Sequence, residues 1–162
     1  MEASDEQSMT ITHDFPVWRE KANFILAAPL KGADVPSEWR WEQLWARQVK
    51  ANVFEICCVP FFAYGIALGD LVSTSTVEGK HYTVDRILKR SGHTTYRIWF
   101  LDVEGWNSVV ENIRNLDCAV EQRWNNSKLI AVDAHTIEVK KSLERYLREL
   151  DSVGVITYEV GT

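Results

Sequence analysis

The stretch PFFAYGIALGD, residues 60–70, decides how the chain is arranged, because its pattern fits neither a helix nor a regular strand. It combines three aromatic residues, two glycines and a proline, and it ends in Asp70. Pro60 fixes its own φ and ends the strand before it, and the glycines permit bends that a side chain would block. We predict that the stretch is a seam along which an N-terminal unit turns and lies against a C-terminal unit. The functional alternative is a ligand-pocket wall made of its aromatic rings.

The sequence before the seam alternates as a strand does. In WRWEQLWARQV, residues 39–49, alternation places Trp41 and Trp45 on one face and Leu44 on the other. Helical spacing also fits these three residues, so the pattern favours a strand without excluding a helix.

Further strand signals surround the seam. VFEICCVP, residues 53–60, is rich in β-branched and aromatic residues and stops at a proline. Glu78-Gly79-Lys80 separates two alternating runs and predicts a hairpin with its glycine at positive φ. Together these signals predict a small antiparallel β-unit, a partly open barrel, over residues 14–92. Residues 1–13 are predicted to be a flexible tail.

Residues 93–162 carry the clearest pattern. Six elements follow one another: a strand at 94–101, a helix at 106–116, strands at 118–124 and 128–134, a helix capped by Thr136 and a strand at 155–160. This order predicts a ferredoxin-like βαββαβ unit whose two helices bury their apolar stripes on one sheet face. The predicted fold class is α+β, and such a fold decides no function by itself.

Several motifs resemble a known family. The run from Trp41 to Phe100, with LWARQV, PFFAYGIALGDLV and VDRILKRSGHTTYRIWF, resembles the bacterial family called domain of unknown function 4265. LIAVDA and the final helix extend the resemblance over residues 38–160. The PFFAYG-x-x-LGD block followed by a Gly-His-Thr block is its specific part. The resemblance implies the domain plan and a small, soluble bacterial protein, and it supplies no active site.

The composition excludes some classes of function. The 162 residues suffice for one domain or two small units that share a core. A net charge of −5 argues against nucleic acid as the partner and is compatible with a basic protein partner. The N-terminus lacks an apolar signal segment, and no apolar run is long enough to span a membrane. With its three cysteines read as reduced thiols, the chain is predicted to be cytoplasmic and not membrane-bound.

A donor-rich turn, RSGHTTYR at residues 90–97, is the strongest candidate ligand site. Arginine side chains and backbone N–H groups of such a turn can hold a phosphate or a carboxylate. The candidate ligand-binding residues are Asp70, Arg90, Ser91, His93, Thr95 and Arg97. A loop between units, whose polar groups satisfy the backbone, is the structural alternative. Asp70 with His93 is the one catalytic pair that merits a test. Because no nucleophile or paired acid is adjacent to the turn in sequence, no catalytic residue is predicted.

No cofactor or metal is expected from the motifs. The four histidines have no ligand spacing, and the sequence has no Walker loop, G-x-G-x-x-G or G-x-S-x-G.

Seven tryptophans are many for this length. Trp39, Trp41 and Trp124 are the candidate partner-binding residues, because exposed tryptophan and arginine are the usual hot spots of protein interfaces. If the face that holds Trp39 and Trp41 packs inward, these two residues are core instead.

Two functions follow as hypotheses. The first is a non-catalytic protein-binding module, in its sharpest form a bacterial immunity protein that neutralises a toxin domain with a basic surface. The second is a small-molecule binder or enzyme that takes a phosphate- or carboxylate-bearing ligand at Asp70 and residues 90–97.

Overall fold

The computed structural model describes residues 10–31 and 40–162. Over these ranges the fold is α+β, with a closed five-stranded barrel beside a second, four-stranded sheet. The strands are β1 (Thr10–Ile11), β2 (Phe24–Pro29), β3 (Trp41–Lys50), β4 (Val53–Ile56), β5 (Leu71–Val77), β6 (Lys80–Lys89), β7 (Thr94–Phe100), β8 (Ala119–Gln122), β9 (Leu129–Ala134) and β10 (Ile156–Val160). The helices are α1 (Trp106–Asn115) and α2 (Ile137–Ser152).

The barrel consists of β2 to β6, each antiparallel to the next along the chain. The ring closes where β2 pairs with β6, and this pair is parallel. In a meander of five strands the first and the last run in the same direction, so an odd ring requires one parallel pair. This closure corrects the prediction of a partly open barrel.

Strand β3 shows how alternation builds the barrel. Leu44 and Ala46 are fully buried in its core, whereas Trp45 is half-buried and carries the Arg19 guanidinium over its ring. The strand interpretation of this stretch is therefore confirmed. The predicted hairpin is also present, since β5 and β6 are joined through Gly79 at a φ of 78°.

The second sheet has the strand order β10-β7-β9-β8, with every neighbouring pair antiparallel. Its strands and helices occur in the predicted sequence, and the Thr136 hydroxyl caps α2 by accepting a hydrogen bond from the Val139 N–H. One sheet face and both helices form a single core. Its fully buried members include Tyr96, Ile98, Phe100, Ile113, Ile130, Leu143 and Leu147.

The seam packs between the barrel and the second sheet. Phe61 and Leu68 form a small core with Ile11 of β1 and Ala131 of β9. Because this core takes residues from both sides, the stretch joins the two units as its composition predicts.

Residues 10–13 depart from the predicted flexible tail. Thr10–Ile11 pairs in parallel with β3, and Ile11 and His13 are buried. The sequence places these residues in the tail because two residues are too few to show alternation. Residues 1–9 lie outside the described ranges.

In the described parts of the chain, neither helix has the length and apolar character that crossing a membrane requires.

Candidate functional site

An open groove of about 930 Å³ lies where the seam meets the face of the second sheet opposite the helices. Alternation along β7 directs Tyr96 and Ile98 to the helices and leaves Arg97 and Trp99 for this face. Five of its fourteen described lining residues are aromatic: Phe62, Tyr64, Trp99, Trp124 and Tyr158, the last of which also packs against the core beneath the helices.

Three of these rings are unusually open to solvent. Trp124 is 58% exposed, Trp99 46% and Tyr64 45%. An aromatic cluster left open at this scale is typical of a binding surface rather than of a core.

The charge of the groove is opposite to that of the whole chain. Among its described lining residues, Arg97, Arg123 and Lys128 are cationic and Glu159 is the one carboxylate. The net charge of the chain is −5. The groove is therefore a locally positive, aromatic site on an acidic protein.

Arg97 is the buried cation of the groove, with 4% of its surface exposed. Its Nη2 donates to the Ala63 carbonyl at 2.8 Å, and its Nη1 donates to Glu159 Oε1 at 3.3 Å. The guanidinium also stacks on the Tyr64 ring, 4.1 Å from the centroid. Its Nε is buried and has no hydrogen-bond acceptor among the described residues.

Glu159 holds the outer side of this arrangement. Its Oε1 also accepts a hydrogen bond from the Tyr64 hydroxyl at 2.7 Å, and its side chain is 44% exposed. Within residues 10–31 and 40–162, the one carboxylate paired with Arg97 is thus one that solvent can reach, and it is shared between two donors.

The structure brings Asp70 to the 90–97 turn, as the seam prediction requires. Asp70 is buried, and its carboxylate accepts hydrogen bonds from the Ser91 N–H at 2.8 Å, from the Ala67 N–H at 2.9 Å and from Arg90 Nη1 at 3.2 Å. The Ser91 hydroxyl donates to the Leu68 carbonyl. These contacts attach the turn to the seam. Asp70, Arg90 and Ser91 were all predicted to bind a ligand, but none of the three lines the groove.

His93 pairs with a different acid from the one that the sequence suggests. Its Nδ1 donates to Asp133 Oδ2 at 2.7 Å, whereas Asp70 is held by Arg90 and the seam. The pairing of β7 with β9 places Asp133 opposite Thr95, next to His93. Burial raises the pKa of Asp133 to about 6, against the opposing effect of His93. The suggested Asp70–His93 pair is therefore corrected to His93–Asp133.

Thr95 is fully buried and serves the sheet. Its N–H donates to the Thr162 hydroxyl at 3.1 Å, and its own hydroxyl has no described partner. Of the six predicted ligand residues, Arg97 alone lines the groove.

A buried cluster of charges, which the sequence analysis missed, lies beneath the seam. His13 Nε2 contacts Glu42 Oε1 at 2.7 Å, and His13 Nδ1 contacts Glu121 Oε1 at 2.8 Å. Burial alone would lower the pKa of His13, but hydrogen bonds and charge from both carboxylates raise it to about 9. The imidazole is therefore a cation that donates to a carboxylate on each side, and it stacks on the Phe61 ring.

The backbone of the seam completes this cluster. The Glu42 carboxylate accepts hydrogen bonds from the N–H groups of Phe61, Phe62 and Ala63 at 2.6, 2.9 and 2.7 Å, and Glu121 accepts one from Val59. No part of these side chains is open enough to admit a substrate, so the cluster joins barrel, seam and sheet. The available signal in the sequence was Glu42 itself, a charged residue on the inward face of an alternating strand.

No metal centre is assembled within residues 10–31 and 40–162, where no three histidine, cysteine or carboxylate side chains are suitably grouped. Burial raises the pKa of the Cys57 thiol to about 11 and that of Cys118 to about 12, and it also raises the pKa of Cys58. At neutral pH the three thiols are protonated and are poor nucleophiles.

The predicted partner-binding tryptophans have different surroundings. Trp124 lies on the groove. Trp41 is 9% exposed, with the Lys80 ammonium above its ring, so it belongs to the packed interior and not to an open surface. Trp39 lies outside the described residues.

Comparison with known proteins identifies a family and a fold. The family model described as "Domain of unknown function (DUF4265)" matches residues 42–158. The fold is similar to that of a hypothetical protein from Neisseria gonorrhoeae with a solved crystal structure, at a TM-score of 0.68 and 21% sequence identity. The similarity covers 85% of this chain and 94% of that one. No curated protein matches.

Proposed function

Because the chain belongs to the family described as "Domain of unknown function (DUF4265)", whose description assigns no reaction, we propose a function from the groove: the protein is a non-catalytic protein-binding module. The observation that carries this proposal is the pair of exposed tryptophans, Trp99 and Trp124, beside a buried arginine. Tryptophan, tyrosine and arginine contribute most to the affinity of protein interfaces.

The surroundings of the catalytic candidates favour binding over catalysis. Asp70, Arg90 and Ser91 use their polar atoms to fix the seam. His93 is turned to the buried carboxylate of Asp133, outside the groove. A reactive centre would need such groups to converge on a substrate.

The most specific form of this proposal is an immunity protein. Such a protein neutralises a toxin domain in the cytoplasm that it shares with the toxin's producer, and it needs a stable scaffold and a binding surface rather than a reaction. The acidic composition suits a toxin with a basic surface, whereas the groove itself suits an acidic segment of that toxin. The two charges are compatible if the segment enters the groove and the rest of the toxin faces the acidic exterior.

We also propose that the second sheet and its helices form a ferredoxin-like unit. The order β10-β7-β9-β8, with antiparallel neighbours and both helices in one core, supports this assignment. A crystal structure that superimposes on ferredoxin-like domains with the same connections is the test, and a helix on each face of the sheet would contradict it.

The binding proposal is tested by capture with matched variants. Tagged wild-type protein, a Trp99→Ala/Trp124→Ala variant and a Phe15→Ala control are used as baits in the native host, and the captured proteins are identified by mass spectrometry. Phe15 is 72% exposed and does not line the groove, so it controls for the loss of any open aromatic. A partner retained by the control and lost by the double variant supports the module. A partner held equally by all three baits refutes the role of the groove.

The immunity form needs a separate test. The gene immediately upstream is expressed with and without this chain, and growth of the bacterium is measured. Growth arrest that this chain relieves supports an immunity protein. An upstream gene whose product is harmless, together with harmless deletion of this chain's own gene, counts against it.

A small-molecule binder is the second candidate, favoured by Arg97 in an aromatic groove. Thermal shifts with phosphorylated and carboxylated metabolites test it, with Arg97→Gln as the variant. A shift that disappears in Arg97→Gln supports this candidate, and flat results across the panel remove it.

A further inference from the structure

We infer that Glu159 occupies an anion site formed by Arg97 and Tyr64, and that the groove takes an extended acidic peptide, bearing an aromatic side chain, whose carboxylate replaces that of Glu159. This inference rests on the proposed function, because it names the occupant of the groove that the module would use.

The first reason is the state of Arg97. A buried guanidinium has five N–H donors, and leaving them without acceptors is costly. The described acceptors are the Ala63 carbonyl and Glu159, while Nε has none. The Ala63 carbonyl and the Tyr64 ring hold the guanidinium in place, but the described residues do not supply an acceptor for every one of its N–H donors.

The second reason is that Glu159 is easily displaced. Its contact with Arg97 is 3.3 Å, longer than the roughly 2.7–2.9 Å of strong charged pairs. Its side chain is 44% exposed, so its carboxylate can turn to water, and the 2.7 Å hydrogen bond from the Tyr64 hydroxyl that it gives up is one that the incoming carboxylate can accept instead. An incoming carboxylate would then meet both Arg97 and the Tyr64 hydroxyl.

The third reason is charge complementarity. Once Glu159 has turned away, the described charges of the groove are Arg97, Arg123 and Lys128, all positive. Trp99 and Trp124 supply flat apolar surface for an aromatic side chain. An occupant that carries acidic and aromatic groups matches both features, whereas a basic segment matches neither.

The fourth reason favours a peptide over a small molecule. β10 is an edge strand of its sheet, and its outer side pairs with no described strand. Three consecutive residues of β10, Thr157–Glu159, line the groove, although alternation would give only two of them to one face. The groove therefore reaches the strand edge, where an extended chain can add backbone hydrogen bonds.

The probe is a displayed library of random peptides, selected against the wild-type protein. The selected peptides are synthesised with a fluorescent label, and their Kd is measured by fluorescence polarisation. We expect peptides enriched in Asp or Glu next to Trp, Tyr or Phe. Selection of basic peptides, or no enrichment at all, overturns the inference.

Three variants locate the carboxylate. Glu159→Gln removes the internal competitor and should tighten binding about threefold. Arg97→Gln should weaken it about tenfold. Lys128→Glu, on the surface of the turn, should also weaken binding, and it keeps the test valid if Arg97→Gln does not fold. Weaker binding in Glu159→Gln, or wild-type affinity in both Arg97→Gln and Lys128→Glu, contradicts the displacement.

The occupant is separated from its alternatives by two readouts. Hydrogen exchange of the β10 amides should slow when the peptide binds, as strand addition requires. Full displacement of the peptide by phosphate or acetate at low millimolar concentration would instead assign the site to small anions. If the captured partner is lost in the Trp99→Ala/Trp124→Ala variant but no acidic peptide is selected, the inference fails and the proposed function stands. If a partner is captured but does not depend on these tryptophans, the role of the groove fails, and if no bait captures a partner, the proposed function fails.

Discussion

The buried cation at His13 should make the stability of the protein fall as the pH rises through the mildly alkaline range. The imidazole lies between the carboxylates of Glu42 and Glu121, and all three side chains are sealed from solvent. Burial, together with the charge of the same two carboxylates, raises the pKa of the Cys58 thiol well above its ordinary value, so this thiol is neutral in this range.

The size of the effect follows from the pKa values. The pKa of His13 is about 9 in the folded protein and 6.5 as an ordinary histidine. A raised pKa contributes stability that is complete below 6.5 and is lost as the pH rises through 9. The full contribution is about 3 kcal/mol, of which about 2 kcal/mol is lost between pH 7 and pH 8.5. This interval lies above the pKa of Asp133 and below those of the buried thiols.

Urea unfolding followed by tryptophan fluorescence measures this loss at both pH values. His13→Gln cannot become charged, so its free energy of unfolding should change little across the interval. At pH 7 it should be about 3–5 kcal/mol lower than that of the wild type, because two buried carboxylates lose their cation. Adding Glu121→Gln removes one of these charges and should recover part of the loss. His81→Gln, at an exposed histidine, is the control.

A wild-type stability that stays constant from pH 7 to pH 8.5 would refute the reasoning, since it would mean that the imidazole is neutral in the folded protein. The same holds if His81→Gln removes the pH dependence and His13→Gln does not. The wild-type curve remains a valid test even if His13→Gln is too unstable to purify.

Three further outcomes are expected. Gly69→Ala should lower the free energy of unfolding by roughly 2–3 kcal/mol, because φ is +83° and the new Cβ would meet Ser91 Cβ at 3.0 Å. Gly79→Ala is the control, since its φ of +78° is similar but its new Cβ would meet open space, and it should cost only about 1 kcal/mol. Asp133→Asn should raise the free energy of unfolding by about 1–2 kcal/mol at pH 7 and leave it unchanged at pH 4. Burial raises the pKa of this carboxyl to about 6, so its charged form, which is present at pH 7, destabilises the folded protein, whereas at pH 4 the folded protein holds it neutral. Equal effects at both pH values would contradict this. Leu143→Ala should cost about 3 kcal/mol in urea unfolding, since it opens a cavity in a fully buried site, and a loss below 1 kcal/mol would show that the helix packs differently.

Local patterns were enough to predict most of the elements. β7 and α2 are long, strictly periodic and bounded by a glycine turn or by the Thr136 cap, so alternation and helical spacing indicate their positions. Barrel closure was not predictable in the same way. It depends on pairing between β2 and β6, which are far apart in sequence and parallel, and no local signal records that pairing.

The site was predicted less well than the fold. The donor-rich turn drew attention to Asp70 and His93, but hydrogen bonds within the protein use these groups. Trp99 and Arg97 belong to a strand whose alternation was recognised, yet alternation does not say which face stays open. Which face stays open depends on how far the seam extends over the sheet, and only tertiary packing determines this.

The parallel closing pair also fixes the moment at which the barrel can form. β2 is the first barrel strand to leave the ribosome and β6 the last, and their register joins Ala27 to Thr83. A contact between such distant segments forms later than a local hairpin such as β5–β6. At ordinary rates of synthesis, one edge of β2 stays without its partner for roughly 3–10 seconds. A translational pause before β6 has left the ribosome would prolong the time in which nascent chains can aggregate through that edge, and a pause after β6 has emerged would find the edge already covered.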